Sequence, residues 1–186
     1  MMRTTEAAEL SLQERGILAS SAVAKHLDQF SRAERRSVAG SQQPNLIART
    51  RGYSSRGQEY TITWQDYGQP LPTWFDPLMQ GFVDLLTLPL NWDSYGAGTI
   101  DPSVVQAAMD CMNAVLGPNS PAPRVVPLSS GGLQLEWHRK GIDLEIVFDP
   151  GESPSLYYRN RASGEEGDHE LPKEGHLLRT IISALE

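Results

Sequence analysis

Apolar positions along this chain follow two rhythms, one helical and one alternating, and their order predicts the fold. Val23, Leu27 and Phe30 recur at helical spacing within residues 17–37. Gly40-Ser41-Gln42-Gln43-Pro44 ends that pattern, and through Gly57 the chain is rich in Ser, Gly and Arg with no apolar period, as a linker is. Tyr60, Ile62 and Trp64 then alternate with Thr61, Thr63 and Gln65, which gives a short strand one apolar face. Pro70 and Pro72 close it.

Leu78, Phe82 and Leu85, with Met79 and Leu86, form the stripe of a helix ending near Pro89. A loop, Asn91 to Gly98, leads to Asp101-Pro102, an N-cap followed by a proline at the first helical position. Val105, Ala108, Met109, Met112 and Val115 make the buried face of this second helix, which Gly117-Pro118 stops. Beyond it the period changes to two. Arg124 to Leu128, Leu133 to His138, Ile142 to Phe148 and Leu156 to Arg159 read as strands. Ser130-Gly131 and Lys140-Gly141 supply turns, and Gly164 to Asp168 reads as an acidic loop. Leu177, Leu178, Ile181, Ile182 and Leu185 form a closing amphipathic helix. No strand–helix–strand alternation occurs, so a parallel sheet is not expected. The fold class expected is α+β: a two-layer sandwich of an antiparallel meander of about four strands packed by helices, with a helical or flexible amino-terminal arm.

Counting outward from Lys140-Gly141 sets the hairpin register. Trp137 opposes Leu144, Leu135 opposes Ile146 and Leu133 opposes Phe148, all on the face packed under helices. On the other face His138 opposes Asp143, Glu136 opposes Glu145 and Gln134 opposes Val147. Two carboxylates directly across a ladder repel, so something must offset them. Three readings follow: Arg159 or Arg161 on the next strand neutralises the pair, a basic partner does so, or a divalent metal does.

Composition is that of a soluble globular protein, 39% hydrophobic and 21% charged over 186 residues. The net charge of −7 is uneven: residues 1–58 hold nine Lys/Arg and five Asp/Glu, or +4, against seven and eighteen, or −11, in the rest. The chain therefore divides into a basic arm, 1–58, and an acidic domain, 59–186. An acidic body repels nucleic acid, so direct nucleic acid contact is expected only through the arm. One cysteine excludes an internal disulfide framework, and no apolar run reaches membrane-spanning length. Met1 to Glu6 lacks the apolar core of a secretory signal. A cytoplasmic protein is expected.

Candidate chemistry is sparse. Cys111 sits on the apolar face of the second helix, where a thiol packs rather than reacts. His26, His138, His169 and His176 show no metal-ligand spacing, and no cofactor fingerprint is present. Ser129-Ser130-Gly131-Gly132 joins two strands, unlike a nucleophile elbow or a phosphate loop. The least ordinary segment is Asn91-Trp92-Asp93-Ser94-Tyr95-Gly96-Ala97. Its aromatics either fold back on the core while Asp93 bonds loop amides, or form a recognition loop. This loop, with Pro123-Arg124-Val125-Val126-Pro127 and Gly131-Gly132-Leu133-Gln134-Leu135-Glu136-Trp137-His138, resembles a family of small, largely uncharacterised bacterial proteins. The resemblance spans about residues 85–160, implies bacterial or phage origin, and carries no activity or catalytic residues with it.

These features point to a non-enzymatic binding module, antitoxin-like, immunity-like or an accessory subunit, that docks a basic protein partner. Its candidate contact residues are Trp92, Asp93, Tyr95, Glu136, His138, Asp143 and Glu145, with no cofactor or metal. The alternative is a small metal-dependent or acid/base hydrolase using Asp93, Glu136 and His138.

Overall fold

A computed structural model of the chain describes residues 47–171 and 175–186. The helical pattern of Val23 to Phe30 lies outside the described residues. The first element is a hairpin: β1 (Ile47–Ser55) pairs antiparallel with β2 (Gln58–Asp66) in nine unbroken pairs. Arg56 and Gly57 make its two-residue turn, both at positive φ (52° and 76°), the geometry that matches strand twist. The linker reading of residues through Gly57 is thereby corrected. β1 looks like a linker because only Tyr53 and Ser55 of its nine residues are buried. Its arginines find carboxylates in the fold. Arg51 pairs with Asp76, and Arg49 Nε lies 3.2 Å from Asp66. The boundary at residue 58 falls at the hairpin turn.

Asp66 is fully buried and would be costly there without donors. It accepts from Trp64 Nε1 at 2.9 Å and from the Gly68 amide at 2.6 Å, beside Arg49. Trp64 in turn stacks obliquely on Phe75, ring centroids 5.1 Å apart. As expected, Ile62 and Trp64 bury one face of β2.

Three helices follow the expected patterns: α1 (Phe75–Leu86), α2 (Pro102–Val115) and α3 (Gly175–Leu185). Asp101 caps α2 by accepting from the Ser103 amide at 2.8 Å, with Pro102 opening the helix. α1 lies between the hairpin and the main sheet. Toward β1 it presents Asp76, which accepts from the Tyr53 hydroxyl at 3.0 Å, Gln80, which donates to the Ser54 carbonyl at 2.9 Å, and Thr87, 3.0 Å from the Ser55 hydroxyl. Burial pushes the Tyr53 phenol above its usual pKa, against the opposing pull of Arg51.

The main sheet is a five-stranded antiparallel meander in the order β3 (Arg124–Pro127), β4 (Leu133–Arg139), β5 (Ile142–Phe148), β6 (Ser155–Asn160) and β7 (Glu165–Glu170). The β4–β5 register is the one counted from the Lys140-Gly141 turn, pair for pair. Leu133, Leu135 and Trp137 are buried against Leu144, Ile146 and Phe148, and these residues join Leu78, Phe82, Val105, Met112, Leu178 and Ile182 in one core. Trp137 satisfies its indole by donating to the Pro121 carbonyl at 2.9 Å. The acidic loop expected at Gly164 to Asp168 is corrected to a strand, β7, which pairs with β6 over six residues. Its carboxylates hide it from propensity reasoning, but an edge strand half in solvent tolerates them. Among the described residues no helix is long and apolar enough to cross a membrane.

Candidate functional site

The sheet has one face under the helices and, among the described residues, one open face, on which Asp143 is nonetheless buried and Glu136 largely so, and cross-strand register arranges the open face in rows. The central row runs Arg124, Glu136, Glu145, Tyr157, Asp168 across β3 to β7. The next row toward the β4–β5 turn is His138, Asp143, Arg159, Glu166. On the other side lie Val126, Gln134, Val147, Ser155 and Glu170. Carboxylates outnumber cations on this surface, and it belongs to the acidic part of the chain.

Glu136 and Glu145 stand directly opposite one another, as the count predicts. The group that holds them is not an arginine from the next strand. Gln134, two residues before Glu136 and therefore on the same face, donates its amide to Glu136 Oε1 at 3.0 Å and to Glu145 Oε2 at 2.9 Å. One neutral NH2 group has two protons and uses both here. Arg159 instead reaches Glu166 (3.8 Å), and Arg124 Nη1 stands 3.9 Å from Glu136, beyond hydrogen-bond distance. The arginine reading of the pair is corrected on this geometry. Period-two spacing was the signal that could have revealed Gln134.

Arg161 has its own target. It grips Asp143 in a fork, Nε to Oδ2 and Nη2 to Oδ1, both at 2.9 Å. His138 Nδ1 also lies 2.9 Å from Asp143 Oδ1, and its Nε2 is 3.7 Å from Glu136. The hydrogen bonds from Arg161, then from His138, hold the Asp143 carboxyl at a pKa of about 2. Asp143, chiefly through that shared hydrogen bond, raises the His138 pKa above its usual value, with Glu136 and Glu145 adding to the pull. The result is a chain of alternating charge, Glu136, His138, Asp143, Arg161, along one end of the face.

The Trp-Asp loop is a separate place. Gly98 donates to the Ser129 carbonyl at 3.3 Å and Asp101 to the Gly131 carbonyl at 2.8 Å, which moors the loop to the β3–β4 turn. His138 and Asp143 flank the β4–β5 turn, at the opposite end of β4. Asp93 Oδ1 accepts from the Tyr95 amide (2.8 Å) and the Ala97 amide (3.0 Å), and those bonds lower its pKa. Asn91 caps the Gly96 amide at 2.6 Å. Asn91 and Ser94 both adopt positive φ, 61° and 67°. Trp92 is half-buried and donates its indole to the Gly98 carbonyl at 3.1 Å. Asp93 thus bonds loop amides as one reading expected, but Tyr95 does not fold back onto the core: it is 94% exposed. Leu90, which precedes the loop and which pattern reasoning did not single out, is 73% exposed.

The seven candidate contact residues therefore fall into two clusters. Glu136, His138, Asp143 and Glu145 share the open face; Trp92, Asp93 and Tyr95 share the loop. Asp93 does not join Glu136 and His138, so the acid/base constellation considered for a hydrolase is not assembled. Among the described residues no group of three or more His, Cys, Asp or Glu side chains is placed to hold a metal ion. Cys111 is a partly buried thiol whose pKa burial, with Asp110 nearby, pushes up to about 11.

No family model matches this chain, and no curated protein or solved structure matches it.

Proposed function

We propose that this chain is a protein-binding module that docks a basic partner on the open face of its main sheet, in the manner of an antitoxin, an immunity protein or an accessory subunit of a bacterial or phage system. One observation carries the reading. Glu136 and Glu145 are held side by side by the Gln134 amide, a neutral donor that fixes their geometry without cancelling their charge. The cations near the pair, Arg124 at 3.9 Å and His138 Nε2 at 3.7 Å, both stand by Glu136 and beyond hydrogen-bond distance, which leaves negative charge available to a partner. Tyr157 sits in the same row as the two glutamates and offers aromatic contact area among the carboxylates.

The test is capture from source cells by the wild type and by Glu136→Gln/Glu145→Gln. The expected result is a protein with a basic surface that the wild type retains, that high salt releases, and that the double variant fails to retain while melting no lower than the wild type. Equal retention by both proteins would overturn the reading.

A further inference from the structure

Large apolar side chains held in water, rimmed by charge of one sign, mark places where another molecule docks. Among the described residues three are exposed, Ile47, Leu90 and Tyr95, and the last two lie on the stretch that joins α1 to α2. The backbone around Tyr95 is fixed. Besides the caps from Asp93 and Asn91, the Asn91 amide donates to the Ala97 carbonyl at 2.7 Å and the Ser94 amide to the Asn91 carbonyl at 3.0 Å. Ala97 and Ile100 are buried as the anchors of the stretch. An aromatic ring presented on so fixed a backbone loses little freedom when it is covered.

The neighbours of this loop carry one sign of charge. A Cβ placed on Gly131 of the β3–β4 turn would lie 3.0 Å from the Thr99 carbonyl oxygen and 3.9 Å from Pro150 Cγ, and Ser130 of that turn donates to Asp149. The loop, the β3–β4 turn and the β5–β6 turn therefore meet at one end of the molecule. Residues 87–101, 128–133 and 148–155 hold Asp93, Asp101, Asp149 and Glu152, and no Lys, Arg or His. The three aspartates accept from backbone amides or a serine hydroxyl, neutral donors that leave their charge in place. Between the β5–β6 turn and the start of α2 runs a groove walled by Val104, Ala107, Phe148 and Pro154, with Asp149 and Glu152 beside them.

We propose that this end of the molecule is a second docking surface, and that its occupant is an amphipathic, cationic segment of a partner protein. Apolar side chains of that segment cover Leu90 and Tyr95 and enter the groove, while its Lys or Arg side chains meet the carboxylates. Charge selects this occupant: a nucleic acid or an anionic membrane is repelled, and a second copy of the same end would set carboxylate against carboxylate. Ile47, where the described residues begin, is at the opposite end of β1 from Ser55, which meets Thr87 just before the loop. The surface lies at the other end of β4 from His138 and Asp143 and needs nothing from docking on the open face.

Amide NMR of the full chain with three synthetic peptides tests this, one of leucine and lysine, one of glycine and lysine, and one of leucine and glutamate. The leucine–lysine peptide is expected to shift the amides of Tyr95, Gly96 and Glu152. The glycine–lysine peptide is expected to bind there at least about tenfold more weakly, and the leucine–glutamate peptide not at all. Leu90→Ser/Tyr95→Ser and, separately, Glu152→Lys should each weaken the leucine–lysine peptide by about tenfold while melting with the wild type. Equal binding of the two lysine peptides, or unchanged affinity in either variant, overturns the proposal. Shifts confined to Glu136, Glu145 and Tyr157 overturn it too, and leave docking on the open face standing. Sedimentation showing a doubled mass that Leu90→Ser/Tyr95→Ser abolishes would make a second copy the occupant. Hydroxyl-radical footprinting that finds Tyr95 protected in the free single chain would give that place to the chain's own residues. Either result overturns the proposal.

Discussion

Gly81 of α1 rests on Val125 of β3 so closely that a methyl group at Gly81 would lie 2.5 Å from Val125 Cγ2. Glycine costs roughly 1 kcal/mol in a helix interior relative to alanine, and here that loss secures contact between the helix and the sheet. The absent side chain of Gly81 is the space that the Val125 side chain fills.

Gly81→Ala is expected to destabilise the protein by roughly 1–3 kcal/mol, since overpacking outweighs the gain in helix propensity. Adding Val125→Ala should recover part of that loss, whereas Val125→Ala alone should destabilise. Urea unfolding of the four proteins closes the cycle. Equal stability of Gly81→Ala and wild type would show that α1 does not approach β3 as described.

Gln134→Leu removes the amide that holds two facing carboxylates. The expected loss is roughly 1–2 kcal/mol, the range for a hydrogen bond to a charged group reduced for partial exposure. In the Glu136→Gln/Glu145→Gln background the same substitution should have little effect, because no charges remain to be held apart. Thermal melts at low salt measure both differences. A loss that persists unchanged in that background would assign Gln134 a role in packing alone.

Asp143 and His138 give the fold opposite pH dependences. Asp143 has its pKa depressed from 3.8 to about 2, so its contribution is present above the upper value and is lost as pH falls through the lower one. His138 has its pKa raised above 6.5, so its contribution is complete below that value and fades as pH climbs through the raised one. Asp143→Asn should flatten the acid limb of the melting-temperature curve, and His138→Gln the limb above 6.5. NMR titration of the His138 ring checks the second directly. A ring that titrates below 6.5 would contradict the contact with Asp143.

A chain that begins at residue 59 lacks β1 and with it Tyr53, and it leaves Ile62 and Trp64 without their hairpin partner. It is expected to lose cooperative melting or solubility. A chain that begins at residue 47 keeps the hairpin and is expected to retain a cooperative melt. If the two melt alike, β1 contributes nothing to the core.

Much of this architecture was legible in the sequence, and for identifiable reasons. Lys140-Gly141 pins a hairpin whose faces differ sharply in polarity, so Trp137 against Leu144 and Glu136 against Glu145 follow by counting. Asp101-Pro102 marks a helix start by its own chemistry. What escaped notice depends on distant partners. β1 buries little, and its Arg49 and Arg51 become strand residues because Asp66 and Asp76 await them. β7 is a strand because β6 lies beside it, despite its four carboxylates. The fork from Arg161 to Asp143 requires the β6–β7 turn to fold back toward β5, and local periodicity carries no record of that. Tyr95 was ambiguous because an aromatic ring reads the same in sequence whether it anchors a loop or faces water.

The strand order of the main sheet bears on how fast the molecule assembles. Each strand from β3 to β7 lies beside its successor in sequence, joined by short turns. The entropy of closing each loop is therefore small, and no pairing waits for a distant segment. A chain emerging during synthesis can form β4 against β3, then β5 against β4, as each hairpin becomes available. α3 travels farthest, since it docks against α2, which ended about sixty residues earlier. Closure of that last helix, rather than growth of the sheet, is the step expected to complete the native core.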